Sequence, residues 1–222
     1  MVDKIIYTFW FGDTMSKDRY RCYKSIIKNS KVKVILINEE NLSDYCKNLH
    51  PGFQYLSATH KSDYLRSYFM YNYGGGYTDI KFCNSNWNIY FDKLNSCQYQ
   101  FIGYHEISKN DICVPSLKSH FLEIAGPTQF IFKSHTPFAK DWYDQTQHKM
   151  NQIFDILKEN PGLYHPRAEF GGVQGEKGNF KNSKYPLAWN DLLGKIFHQL
   201  SYDYRGAFCT DMQYPNIQEK YR

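Results

Sequence analysis

The stretch Ser62–Lys81, SDYLRSYFMYNYGGGYTDIK, decides how the chain is read. Together with the residues just before it, its first half predicts a helix from about Ser57 to Tyr73. Gly74, Gly75 and Gly76 then end the helix and let the backbone turn and pass close to bulky neighbours. Behind them Tyr77–Phe82 reads as a strand. Its alternation sends Tyr77, Asp79 and Lys81 to one side and Thr78, Ile80 and Phe82 to the other. An acid and a base side by side at the end of a strand make a polar cluster aimed out of a sheet. On the helix, Asp63 and Arg66 stand three residues apart and share a face. A surface ion pair worth about a few tenths of a kcal/mol is the simpler reading of that pair. The sharper one is a polar pair that holds the hydroxyls of a ligand.

Working outward, Lys4–Trp10 is a β-branched and aromatic run closed by Gly12, a first buried strand. Ser16 can cap a helix over Lys17–Lys28, and Val32–Asn38 (VKVILIN) is apolar enough for a central strand covered on both faces. Strand, helix, strand in so short a span predicts a right-handed crossover with the two strands parallel. A short helix is expected over Ser43–Leu49, stopped by Pro51-Gly52. Strands are expected over Gln100–Glu106 and Gln129–Lys133, a long helix over Thr136–Asn160 and a last one over Ala188–Leu200. His165–Lys184 reads as a surface loop, and a polar tail closes the chain. No repeat or linker divides residues 1–222, so a single α/β domain with a mixed sheet is expected.

Composition narrows the function classes. With 42% apolar and 22% charged residues the chain is that of a folded globular protein, long enough for one substantial core. The 20 Tyr and 16 Phe suit half-buried sites and surfaces that meet sugars or bases, although most must be core. A net charge of +5 tolerates an anionic ligand. The clearest basic stripe, Lys17, Arg21, Lys24 and Lys28, reads as a solvated helix face, so a nucleic-acid partner is not favoured. Cys22, Cys46, Cys83, Cys97, Cys113 and Cys209 form no CxxC pair and no zinc spacing and read as reduced thiols. With no signal-peptide or membrane-length segment, a cytoplasmic protein without an integral membrane span is expected. The absence of GxSxG, Walker A and GxGxxG patterns removes common hydrolases, P-loop enzymes and dinucleotide oxidoreductases as strong rivals.

In open α/β sheets ligands gather beyond the carboxyl ends of strands, which is where Asp79 and Lys81 are expected. A nucleoside diphosphate is the natural candidate, because its phosphates need neutralising. Ser62-Asp63-x-x-Arg66 followed by Gly75-Gly76-Tyr77-Thr78-Asp79 resembles the donor-site signature of the capsular polysaccharide synthesis and mannosyltransferase-like glycosyltransferases. It is also similar to the catalytic domain of the large clostridial glucosylating toxins. The opening KIIYTFWFG, NEENL (Asn38–Leu42) and YPLAWNDLLGKIFHQL (Tyr185–Leu200) are weaker echoes of the same family.

The resemblance implies a glycosyltransferase A-type (nucleotide-diphospho-sugar transferase) fold, with a mixed, mainly parallel central sheet flanked by helices. It also implies a retaining hexosyltransferase reaction from a nucleoside-diphosphate sugar, most simply a UDP-sugar, to a glycan, glycoprotein or glycolipid hydroxyl. Carried over by position, Thr8, Phe9 and Trp10 would meet the nucleotide base, and Asp63 and Arg66 the donor sugar. Gly75, Gly76 and Tyr77 would line the ribose or diphosphate, and Asp79 would be the first Asp of Asp-x-Asp. Trp189 and Asn190 fall in the segment that resembles the family's closing loop over the donor.

Lys81 departs from the pattern, because it stands where the second Asp would ligate a divalent metal, and lysine cannot ligate a cation. Either Lys81 itself neutralises the leaving diphosphate, or Mn²⁺ or Mg²⁺ still binds through Asp79 and a C-terminal ligand. His198, Asp191 and Asp211 are the candidate ligands, and the metal reading is favoured slightly, since Asp79 would otherwise set a bare carboxylate beside phosphates. Glu106, at the end of a strand, could face the acceptor and steady a cationic sugar-like transition state, although a solvated strand end is the simpler reading. Asp79, Lys81 and Glu106 are therefore the candidate catalytic residues. The alternatives are a non-catalytic sugar-nucleotide or glycan-binding domain, a sugar-phosphate transferase and a basic nucleic-acid-binding module.

Overall fold

The computed structural model describes residues 1–12, 14–162 and 184–216. The expected surface loop over His165–Lys184 therefore lies almost wholly outside the described residues, as does the end of the polar tail. Six strands form one mixed sheet: β1 (Ile5–Phe9), β2 (Lys33–Ile37), β3 (Gly75–Thr78), β4 (Phe101–His105), β5 (Ala125–Phe132) and β6 (Phe208–Cys209), in the order β2-β1-β3-β5-β4-β6. The pairs β1/β2, β1/β3 and β4/β6 are parallel, and β5 runs antiparallel to both of its neighbours. All strands but β5 thus share one direction. The carboxyl ends of β1, β3 and β4 and the amino end of β5 meet at a single edge of the sheet.

The helices are α1 (Lys17–Asn29), α2 (Leu42–Tyr45), α3 (Ala58–Asn72), α4 (Asn88–Ser96), α5 (Pro137–Glu159) and α6 (Gly194–Asp203). Short 3-10 segments occupy Pro51–Tyr55 and Pro115–Glu123. Side-chain alternation splits the core into two faces. Tyr7, Phe9, Tyr77, Phe101, Phe130 and Phe132 pack with Phe69 of α3, Phe138 and Trp142 of α5 and Phe197 of α6. Ile6, Ile102 and Ile131 pack instead with Trp87, Phe91 and Leu94 at and within α4. Much of the aromatic excess is consumed here: Phe101 stacks on Phe132 at 4.3 Å, and Phe130 stacks on Phe197 at 5.7 Å.

Several helix ends follow from local chemistry. The Ser16 hydroxyl accepts from the Arg19 N–H, Ser57 from His60 and Thr136 from Ala139, so three of the expected helices begin one residue after a capping hydroxyl. The first crossover is as expected, with β1 and β2 parallel around α1.

Other expectations need correction. The helix expected over Ser43–Leu49 ends at Tyr45, and the one expected from Ala188 starts only at Gly194, after a run of turns. Neither α4, the 3-10 segment Pro115–Glu123 nor β6 was anticipated, and β5 starts earlier than Gln129. The strand expected over Tyr77–Phe82 lies instead at Gly75–Thr78, so two of the three glycines belong to the sheet.

Packing explains that shift. Gly74 takes φ +68°, and a Cβ there would sit 2.8 Å from the Phe132 carbonyl and the Ser134 nitrogen. Gly75 takes φ +85°, and its Cβ would lie 3.0 Å from the Ile5 carbonyl. At Gly76 a Cβ would meet the Trp87 ring at 3.0 Å. The glycines let β3 enter the middle of the sheet between β1 and β5, with Trp87 pressed onto its back. Replacing Gly74 by Ala combines an unfavourable φ with a backbone clash, and is expected to cost about 1–3 kcal/mol or more. Gly103→Ala, which meets neighbours at an ordinary 3.7 Å, should cost less than half as much. Urea denaturation of the two variants tests this ordering.

Candidate functional site

The helix α3 is unusual in burying nearly its whole second half, from Asp63 to Met70. Asp63 and Arg66 are therefore carried into the interior, their side chains 4% and 7% exposed, and the surface-pair reading fails. Arg66 Nη2 lies 3.2 Å from Asp63 Oδ1 and 3.1 Å from Asp79 Oδ1. Its Nη1 donates to the Pro127 carbonyl at 2.9 Å, and its guanidinium stands 4.5 Å from the centre of the Tyr77 ring. The Arg66 Nε has no hydrogen-bond partner among the described residues.

Asp79 lies one residue past β3. Its N–H donates to the Thr128 carbonyl of β5, and the chain then turns sharply, with the Lys81 N–H donating to the Asp79 carbonyl at 2.7 Å. Arg19 of α1 holds the turn through a 2.7 Å bond to the Ile80 carbonyl. The turn brings Lys81 Nζ to 3.1 Å from Asp79 Oδ2. The Tyr77 hydroxyl donates to Asp79 Oδ1 at 2.7 Å and lies 3.3 Å from the Ser62 hydroxyl. The expected grouping of Tyr77, Asp79 and Lys81 on one side is thus present, although only Tyr77 is within the strand.

These contacts set the charges. Burial raises the Asp79 carboxyl, but Lys81, Arg66 and the Tyr77 hydroxyl outweigh it and hold Asp79 down at about 2. Burial dominates at Asp63, pushing it up to about 7 despite Arg66, with the Asp79 charge adding to the rise. Burial also pushes the Tyr77 phenol well above its ordinary range, so it stays a neutral donor. Near neutrality Arg66 and Lys81 face one firmly ionised carboxylate and one that is only partly ionised. Two cations, Arg66 and Lys81, thus converge on the Asp79 carboxylate.

A cavity of about 340 Å³ opens on this cluster. Of the residues singled out in the sequence, Asp63, Arg66, Asp79, Lys81, Glu106, Trp189, Asn190 and His198 line it. Its other walls come from Tyr104, the 110–113 segment, Pro127, Thr128, Tyr214 and Pro215. Of these only Tyr104 falls in an expected strand end near a candidate residue, Glu106; the others carry no local signal in the sequence. Tyr104 donates to or accepts from the Thr128 hydroxyl at 2.7 Å and meets Tyr214 edge-on.

The remaining expected residues lie elsewhere. Phe9 is core, 5.1 Å from both Phe69 and Tyr77. Thr8 is fully buried, and its hydroxyl has no hydrogen-bond partner among the described residues. Trp10 sits half-buried just past the end of β1 with Arg19 over its ring at 5.6 Å, off the cavity wall. Gly75 and Gly76 are buried in the sheet. Asp191 accepts from the Ala188 N–H and pairs with Lys195, and Asp211 pairs with Lys93. Neither lines the cavity. His198 does, but its Nδ1 accepts from the Cys113 N–H and its Nε2 faces Glu106 at 3.4 Å.

No protein-family model matches the chain, and no curated protein matches it. Among the described residues no helix is long and apolar enough to cross a membrane.

The two aspartates give opposite pH signatures. Asp79, held at about 2, stabilises the fold above the ordinary carboxylate range and loses that contribution as pH falls from about 4 toward 2. Asp63, raised to about 7, opposes folding increasingly as pH rises from about 4 to 7, because the unfolded chain releases that proton first. The melting temperature of Asp63→Asn relative to wild type should therefore rise between pH about 4 and 8. A difference that is flat with pH would contradict the assignment.

Proposed function

We propose that the chain is a retaining glycosyltransferase with a glycosyltransferase A-type arrangement, using a nucleoside-diphosphate sugar, favoured to be a UDP-sugar. The observation that carries this reading is the convergence of two cations, Arg66 and Lys81, on Asp79 at the sheet's carboxyl edge, in one cavity. A diphosphate is the ligand that such a cluster suits, since guanidinium and ammonium groups make strong charge-assisted hydrogen bonds to phosphate oxygens. The volume of about 340 Å³ lies in the range usual for small-molecule sites. Asp63, partly protonated near neutrality, can both donate to and accept from donor-sugar hydroxyls.

In this reading the bond from the anomeric carbon to the diphosphate oxygen breaks with its electron pair moving onto that oxygen. Lys81 and Arg66 stabilise the departing charge. The acceptor oxygen forms the new bond on the same face and passes its proton to the leaving phosphate oxygen, so no separate base is required. The remaining rate enhancement comes from holding donor and acceptor in line.

The divalent metal that the family resemblance implies is a poor fit to this donor set. Both oxygens of Asp79 are engaged, Oδ1 by Tyr77 and Arg66 and Oδ2 by Lys81. Among the described residues no group of three or more His, Cys, Asp or Glu is arranged to hold a metal ion. With both Asp79 oxygens so engaged, we favour the reading in which Lys81 supplies the charge over Mn²⁺ or Mg²⁺ held by Asp79 and His198. The acceptor is a glycan, free or carried on protein or lipid.

Calorimetric titration with UDP- and GDP-sugars, with and without Mn²⁺, tests the proposal. A UDP-sugar is expected to bind with or without EDTA, its affinity changing by no more than about twofold. Lys81→Ala should weaken it by about tenfold or more and lower UDP release by about a hundredfold. Failure of every nucleotide sugar to bind would remove the proposal. Binding of UDP-sugars without UDP release to any acceptor would favour a non-catalytic binding domain, and release of nucleoside monophosphate a sugar-phosphate transferase.

A further inference from the structure

The part of the cavity wall at the end of β4 has different chemistry. Glu106 follows β4, its N–H bonded to the Ile124 carbonyl, and its side chain is only 6% exposed. His198 of α6 is 1% exposed and faces it at 3.4 Å. The His198 Nδ1 accepts the Cys113 N–H at 3.1 Å, so its ring proton sits on Nε2, toward Glu106. No lysine or arginine pairs with Glu106 among the described residues. A buried carboxylate with one long contact is short of hydrogen-bond donors, and both of these side chains line the cavity. Asp111, also on the wall, adds a second acid and no base.

Resting on the glycosyltransferase reading above, we propose that Glu106 is the acceptor-binding group, taking a hydrogen bond from a hydroxyl of a neutral sugar, and that His198 is its positioning residue. A donor hydroxyl supplies what the carboxylate lacks, while a uronate or phosphorylated acceptor would bring like charge against Glu106 and Asp111. The imidazole Nε2 is buried without a hydrogen-bond partner among the described residues and stands 3.4 Å from the carboxylate, close enough to orient it, while the ring is itself fixed through Nδ1 by the Cys113 backbone. The two ring nitrogens thus have separable jobs. Asn at 198 can reproduce the acceptor near Nδ1, and Gln the donor near Nε2.

The test is ligand-observed NMR on the full chain saturated with UDP. The probes are the methyl glycosides of glucose, galactose, mannose and N-acetylglucosamine, with methyl glucuronide as the charged comparison. At least one neutral glycoside should bind and the glucuronide more weakly. Binding should fall about tenfold or more in Glu106→Gln and in His198→Asn and return to within about threefold in His198→Gln. UDP affinity, measured in parallel, should stay within about twofold in all three variants, which also reports that they are folded. The proposal is overturned if UDP binds but no neutral glycoside does, if Glu106→Gln leaves glycoside binding intact, or if His198→Asn and His198→Gln behave alike. If wild-type protein fails to bind UDP, it is the underlying donor reading that falls.

Discussion

The buried guanidinium of Arg66 is the constraint on which the rest of this structure depends. It is held between Asp63 on its own helix and Asp79 beyond the neighbouring strand, over the face of Tyr77. A charge so deeply placed is tolerated only when paired and hydrogen-bonded, and removing one partner typically costs about 3–5 kcal/mol. Arg66 therefore ties α3 to the carboxyl edge of β3 and, through the Pro127 carbonyl, to the start of β5. The two aspartates cannot be equivalent beside it. Asp79, with Lys81 and Tyr77 in addition, is the firm anion; Asp63, deeper and less supported, yields its charge near neutrality.

That asymmetry sets two cations against one firm anion at the β3 end of the cavity, while Glu106 and Asp111 line it elsewhere. The net charge of +5 said little about where an anion would bind. What matters is that Lys81 is drawn back by the tight turn after Asp79 and lies 13% exposed at the cavity wall. A longer strand, of the kind expected over Tyr77–Phe82, would have continued past this point. The chain turns because β5 offers Thr128 to Asp79, and because Arg19 captures the Ile80 carbonyl.

Much of the fold was legible, for identifiable reasons. The crossover β1–α1–β2 follows from a capping Ser16 between two β-branched runs, and α3 and α5 from helical patterns whose expected first residues, Ser57 and Thr136, are their caps in the structure. Boundaries failed where tertiary packing overrode local pattern. Gly75 and Gly76 look like a turn in sequence but sit in the sheet, because Ile5, Tyr7 and Trp87 leave no room for a side chain. The segment that becomes α4 is tethered by Asn29 to the Cys83 carbonyl and by Trp87 to the Ser30 carbonyl, long-range contacts that no local period announces. At the site, Asp63, Arg66, Asp79 and Lys81 were readable because they crowd into one short stretch. Tyr104 and Thr128 were not, since they reach the cavity from strands that become neighbours only through the antiparallel insertion of β5, and residues 110–113 come from the turns after β4.

In the proposed function, Arg66 and Lys81 receive a nucleoside diphosphate at the carboxyl edge of the sheet. A crystal structure of the protein with UDP, grown in EDTA, tests it most directly. Phosphate oxygens are expected within hydrogen-bonding distance of Lys81 Nζ and the Arg66 guanidinium, with Asp79 still bonded to both cations. A diphosphate bound away from these residues, or one that enters only when Mn²⁺ is restored and sits on Asp79, would contradict it.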